Sequence, residues 1–320
     1  MIVRWGFAEL PGVLAELRIE RPFLVASDRW SELDVPATAR WTEVPSDRIE
    51  ELAAATSEAD GLLAVGGGSA IDLTKAASAA TGLPVVSVPT TYSGSEWASN
   101  FGIRDPGRRM RGGGAGAHLA GIVYEPDLTL SLPRAESVGT ALNALAHCAE
   151  ALYVKGRGDE ADALALDGAV RINEWLPRVA IDGGDREART ELLTGAASAG
   201  HALGLAGLGL GHAMAQAIGG RYGLAHGALN AICLPAALRF NEPVASDEIA
   251  RFAGALGVDD PVPRVQELAS LGGFVRLRDL GVPEADLPEV AAAAAERGGA
   301  KANPRPASPD EIEALLQTIW

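Results

Sequence analysis

Residues 61–96 read GLLAVGGGSAIDLTKAASAATGLPVVSVPTTYSGSE. Two short β-rich runs, residues 62–65 and 84–88, flank a helical stretch that reaches Ala80 and is closed by Gly82. That order predicts a βαβ unit, hence a parallel sheet whose ligand site lies at the carboxyl ends of its strands. The corner between the first strand and the helix is Gly66-Gly67-Gly68-Ser69. Glycines there let the backbone approach an anion, and a helix N-terminus offers free N–H groups and a positive dipole end. The alternative is a tight turn with no ligand, because the run lacks the G-x-G-x-x-G spacing. Ser69 and Asp72 have the spacing of a capping box, which predicts a reciprocal cap on that helix. After the second strand, residues 89–96 carry the hydroxyls of Thr90, Thr91, Tyr92, Ser93 and Ser95. At the same sheet edge, such hydroxyls suit a cofactor's ribose or phosphate. Two polar loops side by side favour binding over an ordinary turn.

Working outward, residues 1–132 keep this alternation. Residues 22–27 (PFLVAS) predict a strand, with Asp28 at its end, the place of a carboxylate that bonds an adenosine ribose; a solvated turn residue is the alternative. Residues 49–59 have helical spacing. Residues 104–116 (RDPGRRMRGGGAG) are basic and glycine-rich, which predicts an irregular, mobile loop. Its Arg108, Arg109 and Arg111 could meet a substrate carboxylate or simply be solvated. The β signal ends with residues 128–133. From Pro133 to 320 only helices are expected, near 133–154, 160–181, 186–219, 227–240, 246–257, 261–271, 285–297 and 308–320. The last opens with Ser308, Pro309 and Glu311 as N-cap, N1 and N3. The predicted fold is therefore an α/β domain, 1–132, followed by an all-α domain, 133–320.

The helical half carries the titratable chemistry. Residues 200–241 hold three of the five histidines, His201, His212 and His226, among Ala, Leu and Gly. On one continuous helix, His201 and His212 would lie about 20° apart, with Gln216 continuing the stripe. Asn143 and His147 stand one turn apart on the helix over residues 133–154. A turn before His226 can fold it back toward His212. Three imidazoles and an amide oxygen would suit zinc or ferrous iron; singly, each histidine reads as a satisfied core residue.

Composition narrows the classes. The 320 residues are 48% apolar and 22% charged, a globular balance, and the net charge of −15 leaves no basic surplus for nucleic acid. No apolar window long enough for a membrane span occurs, and the start MIVRWGFAEL lacks a secretory pattern. Cys148 and Cys233 sit in apolar helical runs and read as reduced core residues of a cytoplasmic protein.

The chain resembles the iron-containing alcohol dehydrogenase family, most closely its maleylacetate reductase branch. The matching motifs are Gly66–Ser69 with Asp72 and Lys75, residues 89–96, 124–132 (YEPDLTLSL), 143–154, 211–227, 230–241 and 303–306 (NPRP). The resemblance implies a dehydroquinate synthase-like architecture with an N-terminal dinucleotide-binding domain. It implies NAD or NADP, reversible oxidation of an alcohol or reduction of a ketone, a small-molecule substrate and a homodimer. Gly66, Gly67, Gly68, Ser69, Asp72, Thr90, Thr91, Ser95 and Asp28 become the expected cofactor residues. The family's metal ligands fall on Asn143, His147, His212 and His226, with Asn143 standing where metal-using members carry Asp. The maleylacetate reductase branch also has Asn there and is thought to work without a metal. The metal-free form is the expectation, with His147, His212 and His201 as candidate proton donors and iron or zinc as the alternative. Gln216 replaces a family histidine, His201 takes a small residue's place, and a strand of the usual N-terminal hairpin is expected to be missing. Beside keto-acid reduction, two readings stay open: oxidation of a β-hydroxy acid on a peptide or secondary metabolite with decarboxylation following, and an inactive nucleotide-binding partner protein.

Overall fold

The computed structural model describes Met1–Trp320 and divides into two compact units. The first comprises Met1–Thr91 and Ser95–Thr129; the second comprises Tyr92–Gly94 and Leu130–Trp320.

The first unit is built on six parallel strands: β1 (Ile2–Trp5), β2 (Pro22–Val25), β3 (Ala39–Trp41), β4 (Gly61–Gly66), β5 (Pro84–Pro89) and β8 (His118–Tyr124). Their order in the sheet is β1-β8-β5-β4-β2-β3. Side chains alternate across the pleat, so the sheet buries two apolar faces. Leu24, Leu63, Val65, Val86, Val88 and Val123 share one face with Leu10, Val13 and Leu14 of helix α1 (Leu10–Glu16). Phe23, Val25, Leu62 and Val85 pack on the other against Leu52 of α2 (Ile49–Ala55) and Leu73 and Ala77 of α3 (Gly68–Thr81). From β2 the chain passes outward to β3, then returns to β4 on the opposite side of β2. Strand order therefore reverses between β2 and β4, and ligands of open α/β sheets bind at the carboxyl side of such a reversal. Asp28 follows β2 and Gly66–Ser69 follows β4, so both flank that crevice.

Several expectations are corrected here. The basic segment is an antiparallel hairpin, β6 (Phe101–Arg104) with β7 (Met110–Gly114), rather than an irregular loop. Asp105 holds its turn: it accepts from the Arg109 N–H at 2.9 Å and pairs with Arg111 Nε at 2.7 Å. The β signal ends earlier than residues 128–133, because Pro126–Thr129 form a single 3-10 turn after β8. The Ser69/Asp72 capping box does not form. Helix α3 starts two residues early, with Gly67 at the N-cap, and Asp72 turns to Ser95 and Gly102 instead.

The second unit is helical: α4 (Arg134–Tyr153), α5 (Asp159–Ile181), α6 (Arg186–Ala206), α7 (Leu210–Tyr222), α8 (His226–Asn241), α9 (Ser246–Ala255), α10 (Pro261–Ser270), α11 (Leu287–Ala295), α12 (Gly298–Ala302) and α13 (Pro309–Thr318). Helix α4 is buried almost all round from Ser137 to Tyr153 and packs against α5, α6 and α8. Cys148 and Cys233 are free, buried thiols, and burial pushes both well above the ordinary thiol range. The expected capping box of the last helix is present at Ser308 and Glu311. No single helix is long and apolar enough to cross a membrane.

The largest correction concerns residues 186–219. They do not form one helix: α6 and α7 meet at 99°. Gly207 ends α6 with φ 89° and ψ −167°, a region essentially confined to glycine that costs other residues about 1–3 kcal/mol. His201 on α6 and His212 on α7 therefore do not share a helical face.

Candidate active site

Helices α4, α7 and α8 assemble the histidine cluster inside the second unit. His147 and His212 stack with ring centroids 4.7 Å apart, and His226 lies tilted beside His212 at 5.7 Å. His147 and His212 are 3% and 1% exposed, so their protonation depends on local partners rather than water. Burial first, then the neighbouring His212 and His226, hold His147 well below the ordinary imidazole value. Two stacked rings in a buried site cannot both carry charge cheaply, so His147 is the neutral member.

Two amides orient the outer imidazoles. The Asn143 NH2 donates to the Ser93 carbonyl at 2.9 Å, and its oxygen accepts from the Asn230 NH2 at 2.6 Å. The Ser93 carbonyl cannot donate, which fixes the amide with its NH2 toward it. That same NH2 lies 3.3 Å from His147 Nε2, and Asn230 Nδ2 lies 3.0 Å from His226 Nε2. Both Nε2 atoms accordingly act as acceptors.

His212 is held differently. Its Nδ1 lies 2.7 Å from Glu150 Oε2, an acceptor, so Nδ1 carries the hydrogen. Glu150 is fully buried and also accepts from the backbone N–H of Gly209 at 2.6 Å and of His212 at 3.1 Å. A carboxylate behind an imidazole fixes its tautomer and the orientation of its ring. That far nitrogen, His212 Nε2, is buried and has no protein partner.

Glu150 and Asn230 are the site residues that the sequence reading missed. Glu150 left a signal: it is the lone carboxylate in the apolar run ALAHCAEALYV, three residues after His147. Asn230, one turn after His226, left the same kind of signal. Of the other expected proton donors, His201 is half-buried on α6, next to Gly200. Gly200 packs so closely on Gly94 that a Cβ on Gly94 would stand 2.8 Å from its Cα and 3.3 Å from His147 Nδ1.

As arranged, these side chains are engaged with one another rather than held open as a divalent-metal site. His147, His212 and His226 cluster by their rings but are not arranged as a three-donor ligand set. The Nε2 lone pairs of His147 and His226 are engaged by amide N–H groups, and the Asn143 oxygen is engaged by Asn230. No carboxylate is present among these four to balance a dication; Glu150 is occupied behind His212.

The first unit fits a dinucleotide. Gly66 has φ 153° and Gly67 lies against Thr91, whose Cγ2 would stand 2.8 Å from any Cβ at position 67. Thr90 extends the ladder, its N–H donating to the Gly66 carbonyl at 3.0 Å. Thr91 Oγ1 is buried with no protein partner beside a helix N-terminus that has no side-chain cap. Behind these loops Lys75, 1% exposed, pairs with Asp72 at 2.8 Å and donates to Ser95 Oγ and to the carbonyls of Ser95, Ala98 and Asn100. Asp72 and Ser95, expected as cofactor residues, are thereby occupied in holding the 95–102 loop. Asp28 is exposed at the start of a 3-10 turn. Arg108, Arg109 and Arg111 are exposed on the hairpin, and Arg111 is tied to Asp105.

A glycine-lined parallel-sheet crevice and a buried proton-carrying histidine pocket in one chain define a nucleotide-dependent oxidoreductase. Comparison with known proteins makes the class specific. Residues 137–320 match the description "Fe-containing alcohol dehydrogenase family, C-terminal" and residues 7–118 match "Iron-containing alcohol dehydrogenase". A maleylacetate reductase of Pseudomonas knackmussii is 38% identical over 83% of this chain and 76% of its own. Maleylacetate reductase 1 of Cupriavidus pinatubonensis is 33% identical over 96% of this chain and 90% of its own. The crystal structure of a maleylacetate reductase from Rhizobium sp. superposes with a TM-score of 0.89 at 28% identity, covering 100% of this chain and 95% of that one. The chain belongs to the iron-containing alcohol dehydrogenase family and is an NAD(P)-dependent oxidoreductase acting on CH–OH groups or the corresponding carbonyls.

Proposed function

We propose that this protein reduces the ketone of a small keto acid, in the manner of a maleylacetate reductase, without a resident metal. The observation that carries the reading is the unpartnered, buried His212 Nε2 with Glu150 behind it. The nicotinamide, when bound, supplies the hydride. The residues Gly66–Ser69, Thr90 and Thr91 would hold the cofactor's phosphates, and Asp28 its adenosine ribose.

The rest of the chemistry belongs to the pocket. Negative charge builds on the carbonyl oxygen as hydride arrives, and it must be met by a positioned donor. With a proton on Nε2, His212 donates to that oxygen and delivers the proton, while Glu150 accepts from Nδ1–H and holds the ring in place. His147 is kept neutral by burial and by its neighbours, and stacks on His212. In the reverse direction His212 Nε2 takes the hydroxyl proton. The arginines of the hairpin are the proposed partners of the substrate carboxylate. A homodimer is the proposed assembly.

The test is a panel of small keto acids with NADH and NADPH, followed at the nicotinamide absorbance. His212→Gln is expected to lower kcat by about 10²–10⁴-fold while nucleotide binding persists. Unchanged turnover in that variant would remove the reading. Turnover of β-hydroxy acids but of no keto acid would favour the oxidative direction instead.

A further inference from the structure

We propose that the short C-terminal segment α12 braces the Glu150–His212 pair, with Gly299 as a positioning residue. The inference rests on the acid–base reading of that pair.

The contact runs through Gly209, the N-cap of α7. Its N–H donates to Glu150 Oε2 at 2.6 Å, while a Cβ at Gly209 would stand 2.9 Å from Glu150 Cδ. Glu150 thus caps α7 from another helix, a task that Gly209 has no side chain to perform. The same residue is also met by Gly299: a Cβ there would stand 2.3 Å from the Gly209 carbonyl oxygen and 3.2 Å from its carbon. Backbone therefore rests directly on backbone, and Gly209 is in close contact with both Glu150 and α12.

Helix α12 is itself fixed. Asn303, fully buried, exchanges two amide hydrogen bonds with Asn241 at the end of α8, at 3.0 and 2.7 Å. Its Nδ2 also donates to the Arg305 carbonyl at 2.7 Å. The Lys155 N–H, just beyond α4, donates to the Ala302 carbonyl at 3.0 Å. The brace is anchored to the two helices that carry Glu150, His147 and His226, and it presses on the start of the third, which carries His212. In a close-packed interior, a shift of one such peptide is transmitted rather than absorbed.

The experiment compares Gly299→Ala with Gly298→Ala, whose added Cβ would meet nothing within 4 Å. Read-outs are kcat and KM for keto acid and nicotinamide, and the His212 tautomer from imidazole nitrogen NMR. Gly299→Ala is expected to lower kcat by about 10- to 100-fold, leave the nicotinamide KM within about twofold, and weaken the Nδ1–H signature. Gly298→Ala should match the parent. A folded Gly299→Ala with parental kcat and tautomer overturns the proposal. If Gly299→Ala does not fold, Asn303→Ala releases the same segment without a clash; a lower melting temperature with parental kcat and tautomer is equally contrary. Glu150→Gln separates the two levels. If it leaves kcat unchanged, the acid–base reading fails and the tautomer alone judges the brace. If it lowers kcat while Gly299→Ala does not, only the brace fails.

Discussion

Asn143 decides the chemistry of the pocket at the level of single atoms. A carboxylate there could not donate to Ser93 or His147, whereas the amide does both. Asn143→Asp would place a carboxylate beside His147 and remove the donor that occupies His147 Nε2. The expected outcome is about one equivalent of zinc retained per chain after dialysis, against a substoichiometric amount for the parent. Metal analysis of the two proteins checks this, and equal occupancy would count against the present account of the amide. Glu150 is the second decisive residue. Glu150→Gln keeps the shape but loses the charge behind His212, so kcat should fall by about 10²-fold or more, with the nicotinamide KM little changed. That Asn143, His147, His212 and His226 come together was legible from spacing and resemblance, whereas the shared face of His201 and His212 was not. Glu150 was not singled out, because a lone buried carboxylate in an apolar run declares its partner only in three dimensions.

At the level of elements, the bend between α6 and α7 sets where His212 points. The sequence 203–211 (LGLAGLGLG) keeps an apolar helical rhythm, which concealed the break; the glycines were the visible warning. Gly207→Ala, at φ 89° and ψ −167°, should cost about 1–3 kcal/mol. That corresponds to a fall of about 2–4 °C in Tm per kcal/mol for a unit of this size, measurable by calorimetry. An unchanged Tm would mean that the turn relaxes freely. In the first unit, the βαβ corner was legible because glycines and apolar runs alternate there. Strands β1, β3 and β8 were not. β3 has only three residues with little burial, and β8 is interrupted by Gly121, which packs against Val13 of α1. The hairpin β6–β7 was hidden by composition, since its glycines and arginines carry little intrinsic strand preference.

For the molecule as a whole, stability should carry a pH signature from Glu96. This carboxyl is buried and is raised above its ordinary range chiefly by desolvation, with the Tyr124 hydroxyl at 2.7 Å and Lys75 acting against the shift. A folded-state value above the unfolded one favours folding below about pH 4.3, and that advantage is lost as pH rises through the folded value. Glu96→Gln should therefore gain in Tm relative to the parent between pH 5 and pH 8, checked by thermal melts; a constant difference would contradict the assignment. The division into an α/β part and a helical part was legible from where strand-like runs give way to helical periodicity. Substrate choice was not, because it depends on side chains brought together from distant parts of the chain.

The central claim is that an imidazole, and not a metal ion, meets the charge on the substrate oxygen. Its most direct test is the kcat for keto-acid reduction by protein exhaustively stripped with a chelator and analysed for residual metal. The account predicts that turnover survives with far less than one metal per chain and falls at least about 100-fold in stripped His212→Gln. Loss of turnover on stripping, with recovery on adding zinc or ferrous iron, would contradict it.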